Sequence, residues 1–314
     1  MHILITGGFG FIGGRLAQHL EQAGHQIVLG TRNAVSAPDW LPNVRVVETN
    51  WSDSKALEQI CTGVDVIIHA AGMNAQDCAL NPVEALEFNG LATSRLIEAA
   101  CKVGVQRFFY LSTAHVYASP LVGIITEETC PRNLHPYATS HMAGENVVLN
   151  AFQRGGTTGI VLRLSNAFGA PMHKDVNCWM LVMNDLCRQA VQTGKIVLLT
   201  NGQQYRNFIT ISEVCRIIEE LLSYEFDAGS QNIINVGSTI SKTVLEMAQL
   251  IQQRCACILN VMPSIEIPDK GGDEQYQMLE YRADRLAEMS INIESNFKDE
   301  IENILRFCIT AFNE

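Results

Sequence analysis

Positive charge is scarce: across 314 residues, 22 lysines and arginines stand against 33 aspartates and glutamates, a net charge of -11. A surface of that sign repels phosphate backbones, which argues against nucleic acid as a partner. An anionic ligand must instead be caught locally, by helix N-termini and a few placed arginines. Metal-ligand spacing is missing too. The ten cysteines are scattered from Cys61 to Cys308 without a Cys-x-x-Cys pair, and Cys255 and Cys257 have no histidine near them in sequence. No metal site is expected, and the thiols read as reduced, mostly core residues. No apolar run approaches the roughly 18 residues of a membrane span. The N-terminus enters an apolar strand without a basic segment or cleavage site, so a cytoplasmic protein with no membrane partner is expected. Internal repeats and low-complexity stretches are also absent.

What is present is a regular alternation. His2 to Thr6 is a short apolar run closed by glycines, and Phe11, Ile12, Leu16 and Leu20 then recur at helical spacing. Further strands are expected at Gln26 to Leu29, Val44 to Val47, Val64 to Ile68, Arg107 to Leu111 and Gly159 to Leu164. Helices are expected from Ser54, as a cap, to Cys61, from Asn81 to Val103 with Pro82 in the first turn, and from Tyr137 to Phe152. Nearly continuous apolar strands alternating with helices predict an α/β, doubly wound parallel sheet covered on both faces. After Ser165 the pattern loosens into a loop at Gly169, a helix from Cys178 to Gln192 and short elements. The expected division is a cofactor domain at residues 1–165 and a smaller C-terminal substrate lobe at 166–314.

Between the first strand and first helix lies Gly7-Gly8-Phe9-Gly10-Phe11-Ile12-Gly13. Gly7 suits a tight turn, Gly10 a close backbone approach to a pyrophosphate, and Gly13 close packing of helix on strand. The helix N-terminus would then offer open N–H groups and partial positive charge to the anion. In such folds a carboxylate about 20 residues further on usually bonds the adenosine ribose. Here the stretch reads Leu29-Gly30-Thr31-Arg32-Asn33, with no carboxylate and with an arginine whose planar fork suits a 2′-phosphate. NADP is therefore preferred, with NAD as the alternative.

Beyond the glycines, four segments make the chain resemble the extended short-chain dehydrogenase/reductase family of NAD(P)-dependent nucleotide-sugar epimerases, dehydratases and reductases. They are Asp65-Val66-Ile67-Ile68-His69-Ala70-Ala71-Gly72, Asn89-Gly90 with Thr93, Leu111-Ser112-Thr113-Ala114-His115-Val116-Tyr117, and Pro136-Tyr137-Ala138-Thr139-Ser140. The resemblance implies a Rossmann-like fold. It implies that Gly7, Gly10, Phe11, Ile12, Gly13, Arg32, Asn50, Trp51, Ala70, Ala71 and Gly72 line the cofactor, with Asn50 offering its amide oxygen to the adenine. It further implies that Thr113 holds the substrate oxygen, with Ser112 as a neighbouring ligand, while Tyr137 exchanges a proton with that oxygen.

The chief departure is His141, which stands where the family has a lysine one helical turn after the tyrosine. An imidazole of pKa about 6.5 is mostly neutral at pH 7, so it can bond the nicotinamide ribose yet assists phenol deprotonation less. Reduction, in which the tyrosine gives a proton, suffers least. Ala114 and His115 replace the acid pair of the 4,6-dehydratases, which argues against dehydration. In the lobe, Asn166 and Arg206 align with family substrate ligands, Arg206 toward a diphosphate, and Lys270 replaces another phosphate-binding arginine. The expectation is reduction of a keto group on a nucleotide-linked sugar. The alternatives are a C4 epimerase with retained NAD and a cofactor-binding regulatory protein without turnover. The family further implies a homodimer through the two long helices.

Overall fold

A computed structural model describes residues 1–33, 35–226, 232–268, 276–294 and 296–312. They form two compact units: residues 1–119, 130–164 and 219–235, and residues 120–129, 165–218 and 236–314.

The first unit is built on β1 (His2–Thr6), β2 (Gln26–Thr31), β3 (Arg45–Glu48), β4 (Val66–His69) and β5 (Arg107–Thr113). Two more strands, Thr158–Leu164 and Ile233–Val236, complete a seven-stranded sheet. Across it the order runs β3, β2, β1, β4, β5, Thr158–Leu164, Ile233–Val236. The pairs from β3 through Thr158–Leu164 are parallel. Ile3, Leu4, Ile5, Ile67, Ile68, Phe108, Phe109, Ile160, Val161 and Leu162 are fully buried. Burial on both faces is why these strands read as unbroken apolar runs rather than alternating ones. Chain order reverses between β1 and β4, and in doubly wound sheets ligands bind outside the carboxyl ends of the strands at that reversal.

Three expected helix features change. Asp53, not Ser54, caps the helix Ser54–Cys61, its carboxylate accepting from the Lys55 and Ala56 N–H groups at 2.9 and 3.1 Å. The stretch after Pro82, which does sit at the first helical position, is not one α-helix. Pro82–Ala85 runs into a π-turn at Leu86–Ala92 before Thr93–Val103 resumes α geometry. In the second unit the helix expected from Cys178 begins at Val182, because Leu181 is extended.

That unit contains a three-stranded sheet of Asn166–Phe168, Tyr205–Thr210 and Ser241–Thr243. The helices Val182–Thr193, Val244–Leu259 and Phe297–Phe312 contribute Met183, Met247, Ile251, Ile301 and Ile304 to a core shared with Phe168 and Phe208. Thr243 and Glu246 form a reciprocal capping box at the start of Val244–Leu259.

Seven of the ten cysteines are buried, and all ten are free thiols. Among the described residues, no helix is long and apolar enough to cross a membrane.

Candidate active site

The glycine turn sits at the β1 end of the strand-order reversal. Gly7 has φ +69°, a left-handed conformation that side chains resist, and a Cβ there would lie 2.8 to 2.9 Å from the Ala70 and Ala71 backbone. A Cβ at Gly13 would stand 2.3 Å from the Gly7 carbonyl oxygen, so this glycine closes the turn on itself. At Gly10 the same test meets only the Gly7 oxygen, at 3.1 Å. Gly10 is exposed and caps the helix Phe11–Gln22 without any side-chain bond, leaving the first-turn N–H groups open. The fold thus brings Gly7, Gly10, Phe11, Ile12 and Gly13 beside Ala70, Ala71 and Gly72, in a cradle that fits a dinucleotide's pyrophosphate.

Thr113 is the last residue of β5 and Tyr137 lies in the first turn of the helix Pro136–Gln153. The Thr113 hydroxyl lies near enough to the Tyr137 phenol to lower its pKa. The His141 ring stands edge-on to the Tyr137 ring, with centroids 4.6 Å apart. Behind them lies a buried polar chain. Tyr110 Oη is 3.1 Å from His141 Nδ1 and donates to the Asn89 carbonyl at 3.3 Å. Thr93 donates to the same carbonyl at 2.7 Å and stands 3.0 Å from His69 Nε2, while His69 Nδ1 is 2.6 Å from the Thr6 hydroxyl. Asn89 spends its side chain on the Met73 N–H at 2.9 Å and on Ser140 at 3.0 Å. Assigned from this network, the Tyr110 proton points at Asn89, so His141 carries its own proton on Nδ1. Its Nε2 is then an acceptor, on the side where a Cβ at Gly72 would come within 3.9 Å.

Burial sets the electrostatics. His141, only 6% exposed, has its pKa pulled from 6.5 down to about 4, and His69 falls to about 3 through burial and the nearby His141. Both imidazoles are neutral at pH 7. Tyr137 is raised above 10 by burial, which outweighs the lowering by the nearby Thr113 hydroxyl.

Other expected site residues are placed differently. Ser112, adjacent to Thr113, faces the opposite side of the strand and donates to Glu145 Oε1 at 2.5 Å. Glu145 in turn is gripped by Arg163 through Nε and Nη2, at 3.1 and 2.6 Å, with both side chains almost wholly buried. Sequence reasoning missed this pair. Its signal was the spacing of Glu145 four residues after His141, on the same helix face. Tyr110 was missed as well. The Asn50 amide oxygen, expected to meet the adenine, already accepts from Ser52 N and Oγ at 3.2 and 2.8 Å. Trp51 turns its ring onto His69 and Phe88, with centroids 5.7 and 5.8 Å apart. Arg32 is exposed just beyond β2, with its guanidinium carbon 5.1 Å from the Phe88 ring centre.

In the second unit, Asn166 donates to the Asn207 carbonyl at 2.7 Å, and the strand register sets it on the same sheet face as Arg206. Arg206 is half-buried, which lowers its pKa, and it bonds Gln204 at 3.3 Å. No carboxylate among the described residues pairs with it. Lys270 lies outside the described residues.

The chain's relatives bear on this arrangement. A dTDP-glucose 4,6-dehydratase of Streptomyces niveus is 25% identical over 289 residues, covering 87% of this chain and 83% of that protein. A dTDP-6-deoxy-L-talose 4-dehydrogenase (NAD(P)(+)) of Kitasatospora kifunensis is 27% identical over 289 residues, covering 88% and 86%. Among solved structures, the fold matches a UDP-glucuronic acid 4-epimerase from Bacillus cereus in complex with UDP-glucuronic acid and NAD. The TM-score is 0.81 at 18% identity, covering 99% of this chain and 100% of that one. A UDP-glucose 4-epimerase from Thermus thermophilus in complex with NAD matches with a TM-score of 0.80 at 21% identity, again over 99% and 100%. The family model of the NAD dependent epimerase/dehydratase family matches residues 3–237. The chain therefore belongs to that family of enzymes, which is of the extended short-chain dehydrogenase/reductase type.

Proposed function

We propose that the chain is an NADP-preferring oxidoreductase that reduces a keto group on a nucleotide-linked sugar. The observation that carries the direction is the neutral, buried His141 against Tyr137. Among the described residues no cation stands beside the phenol to stabilise a phenolate, and burial raises its pKa further, so Tyr137 begins the cycle protonated. That is the state a proton donor needs.

The cradle of Gly7 to Gly13 would hold the pyrophosphate of the cofactor, and Arg32 its 2′-phosphate. When bound, the nicotinamide supplies hydride to the carbonyl carbon. Thr113 holds the carbonyl oxygen by a hydrogen bond, and Tyr137 gives that oxygen its Oη proton as charge develops there, leaving an alcohol. His141 would hold a ribose hydroxyl of the cofactor through Nε2, while Tyr110 fixes its tautomer through Nδ1. Arg206, free of carboxylate partners among the described residues, suits the diphosphate of the substrate. The Kitasatospora relative, named for a dTDP-sugar and for NAD(P), supports the substrate class and leaves room for NADP.

A rival reading is a C4 epimerase with NAD held through the cycle, as the Bacillus and Thermus structures suggest. It predicts cofactor retained through purification; a reductase must release it. Exposed Val83, Leu86 and Leu91, at 72%, 49% and 46%, on the first of the two long helical stretches, support a homodimer through those stretches.

A thermal-shift panel of nucleotide sugars with NADP(H) and NAD(H) tests the proposal. A correct ligand pair raises Tm with concentration. No shift with any nucleotide sugar would overturn the substrate assignment, whereas a shift with cofactor alone would leave the dinucleotide site standing.

A further inference from the structure

The adenosine end of the cradle contains an arrangement that family membership does not supply. Arg32 follows β2, Trp51 follows β3 and Phe88 lies in the π-turn, so three separate elements meet at the carboxyl ends of the strands. Phe88 is the centre of the group. The Arg32 guanidinium lies over its ring at 5.1 Å, and the Trp51 indole meets that ring edge-on, at 89° and 5.8 Å. Trp51 is itself tied down, its carbonyl accepting from Arg95 Nη1 at 3.2 Å. An exposed arginine ordinarily samples many rotamers, and binding an anion must first freeze it. Resting one face on an aromatic ring removes part of that cost in advance while leaving the N–H edge open.

We infer that Phe88 is a positioning residue that sets the choice of cofactor, holding Arg32 ready for a 2′-phosphate. This rests on the reading of Arg32 as the 2′-phosphate ligand. Trp51 acts one step behind, bracing the Phe88 ring from its edge. Because Phe88 immediately precedes Asn89 in one turn, the chain aims its 2′-phosphate ligand from the same backbone segment that anchors Tyr110 and Ser140.

The test is equilibrium binding of NADPH and NADH, followed by nicotinamide fluorescence, to the wild-type protein and to Arg32→Ala, Phe88→Leu and Phe88→Tyr. Phe88→Leu keeps the bulk and loses the π face. We expect it to weaken NADPH binding roughly two- to fivefold, with NADH binding unchanged. Phe88→Tyr should restore the wild-type ratio, and Arg32→Ala should abolish the preference. Loss of NADH binding in step with NADPH would show a merely structural role and overturn the inference. If Arg32→Ala removes the preference while Phe88→Leu retains it, the Phe88 inference falls and the Arg32 reading stands. If the wild-type protein binds both cofactors equally and Arg32→Ala changes nothing, the NADP reading itself is overturned, and the inference with it.

Discussion

At Tyr137 the decisive quantity is how firmly the phenol keeps its proton. With a neutral imidazole as neighbour, keto reduction should persist into alkaline pH and decline only as pH rises through the raised pKa of Tyr137. His141→Lys places an ammonium one turn away, which favours the phenolate. The alkaline limb of the pH–rate profile should then move to lower pH, and alcohol oxidation should gain relative to reduction. A profile that stays put would remove His141 from the proton-transfer machinery. Among single residues, legibility followed locality. Gly7, Gly10 and Gly13 could be read because their turn is built from consecutive residues. At Asn50 the oxygen accepts from Ser52 two positions on, in a small local turn that the linear pattern does not announce. Ser112 was readable in principle: neighbours on a strand point to opposite faces, so it and Thr113 were never equivalent.

The helix Pro136–Gln153 presents two different sites on one stripe. Tyr137 and His141 face the polar chain, and Glu145, one turn further, meets Arg163 and Ser112. Arg163 also stacks over the Tyr117 ring at 4.7 Å, and Tyr117 donates to Asn235 at 2.8 Å. The ion pair thus ties the helix Pro136–Gln153 to β5 and Thr158–Leu164. Removing one partner leaves an unpaired charge in a dry site. Glu145→Ala should therefore cost about 3–5 kcal/mol of stability, measured by urea unfolding, while Glu145→Leu with Arg163→Met should recover much of it. If the double variant is no more stable than the single one, the pair holds the helix by more than charge compensation. Sequence periodicity located this helix and its neighbour within a residue or two. The π-turn stayed hidden because its cause is tertiary: Asn89 is pulled toward Met73 and Ser140.

At the scale of the whole molecule, the parallel sheet was legible from apolar runs alternating with helical ones. The strand Ile233–Val236 was not. It joins the sheet beside Thr158–Leu164 after the chain has passed through residues 165–218 of the other unit, and short-range patterning carries no such information. The two buried histidines make stability depend on pH across the entire fold. Their folded-state pKa values, about 4 and about 3, lie below the unfolded value of 6.5, so unfolding takes up protons as the solution is acidified. Their contribution is fully present above pH 6.5. It is lost on acidification toward pH 4, by about 1.4 kcal/mol per pH unit for each histidine. Urea midpoints measured between pH 7.5 and 4.5 should follow that slope, and His141→Gln should flatten it by about half. A slope unaltered in that variant would mean the imidazole gains its proton without unfolding.

The π-turn Leu86–Ala92 also acts as a phase insert. An α-helix advances each residue by about 100°, so an extra residue carried at uniform α pitch would rotate everything after it by that angle, whereas the wider π-turn takes it up locally. Phe88 and Asn89 serve opposite ends of the proposed cofactor site, and Thr93, on the far side of the insert, completes the polar chain to His69. Deleting the exposed Leu91 would let the helix relax to uniform pitch. The count from Phe88 to Thr93 would fall by one as the pitch tightens, so Thr93 and Leu96 would keep their facing toward the core. The wide turn therefore carries one extra residue while the two halves of the proposed site stay in angular step.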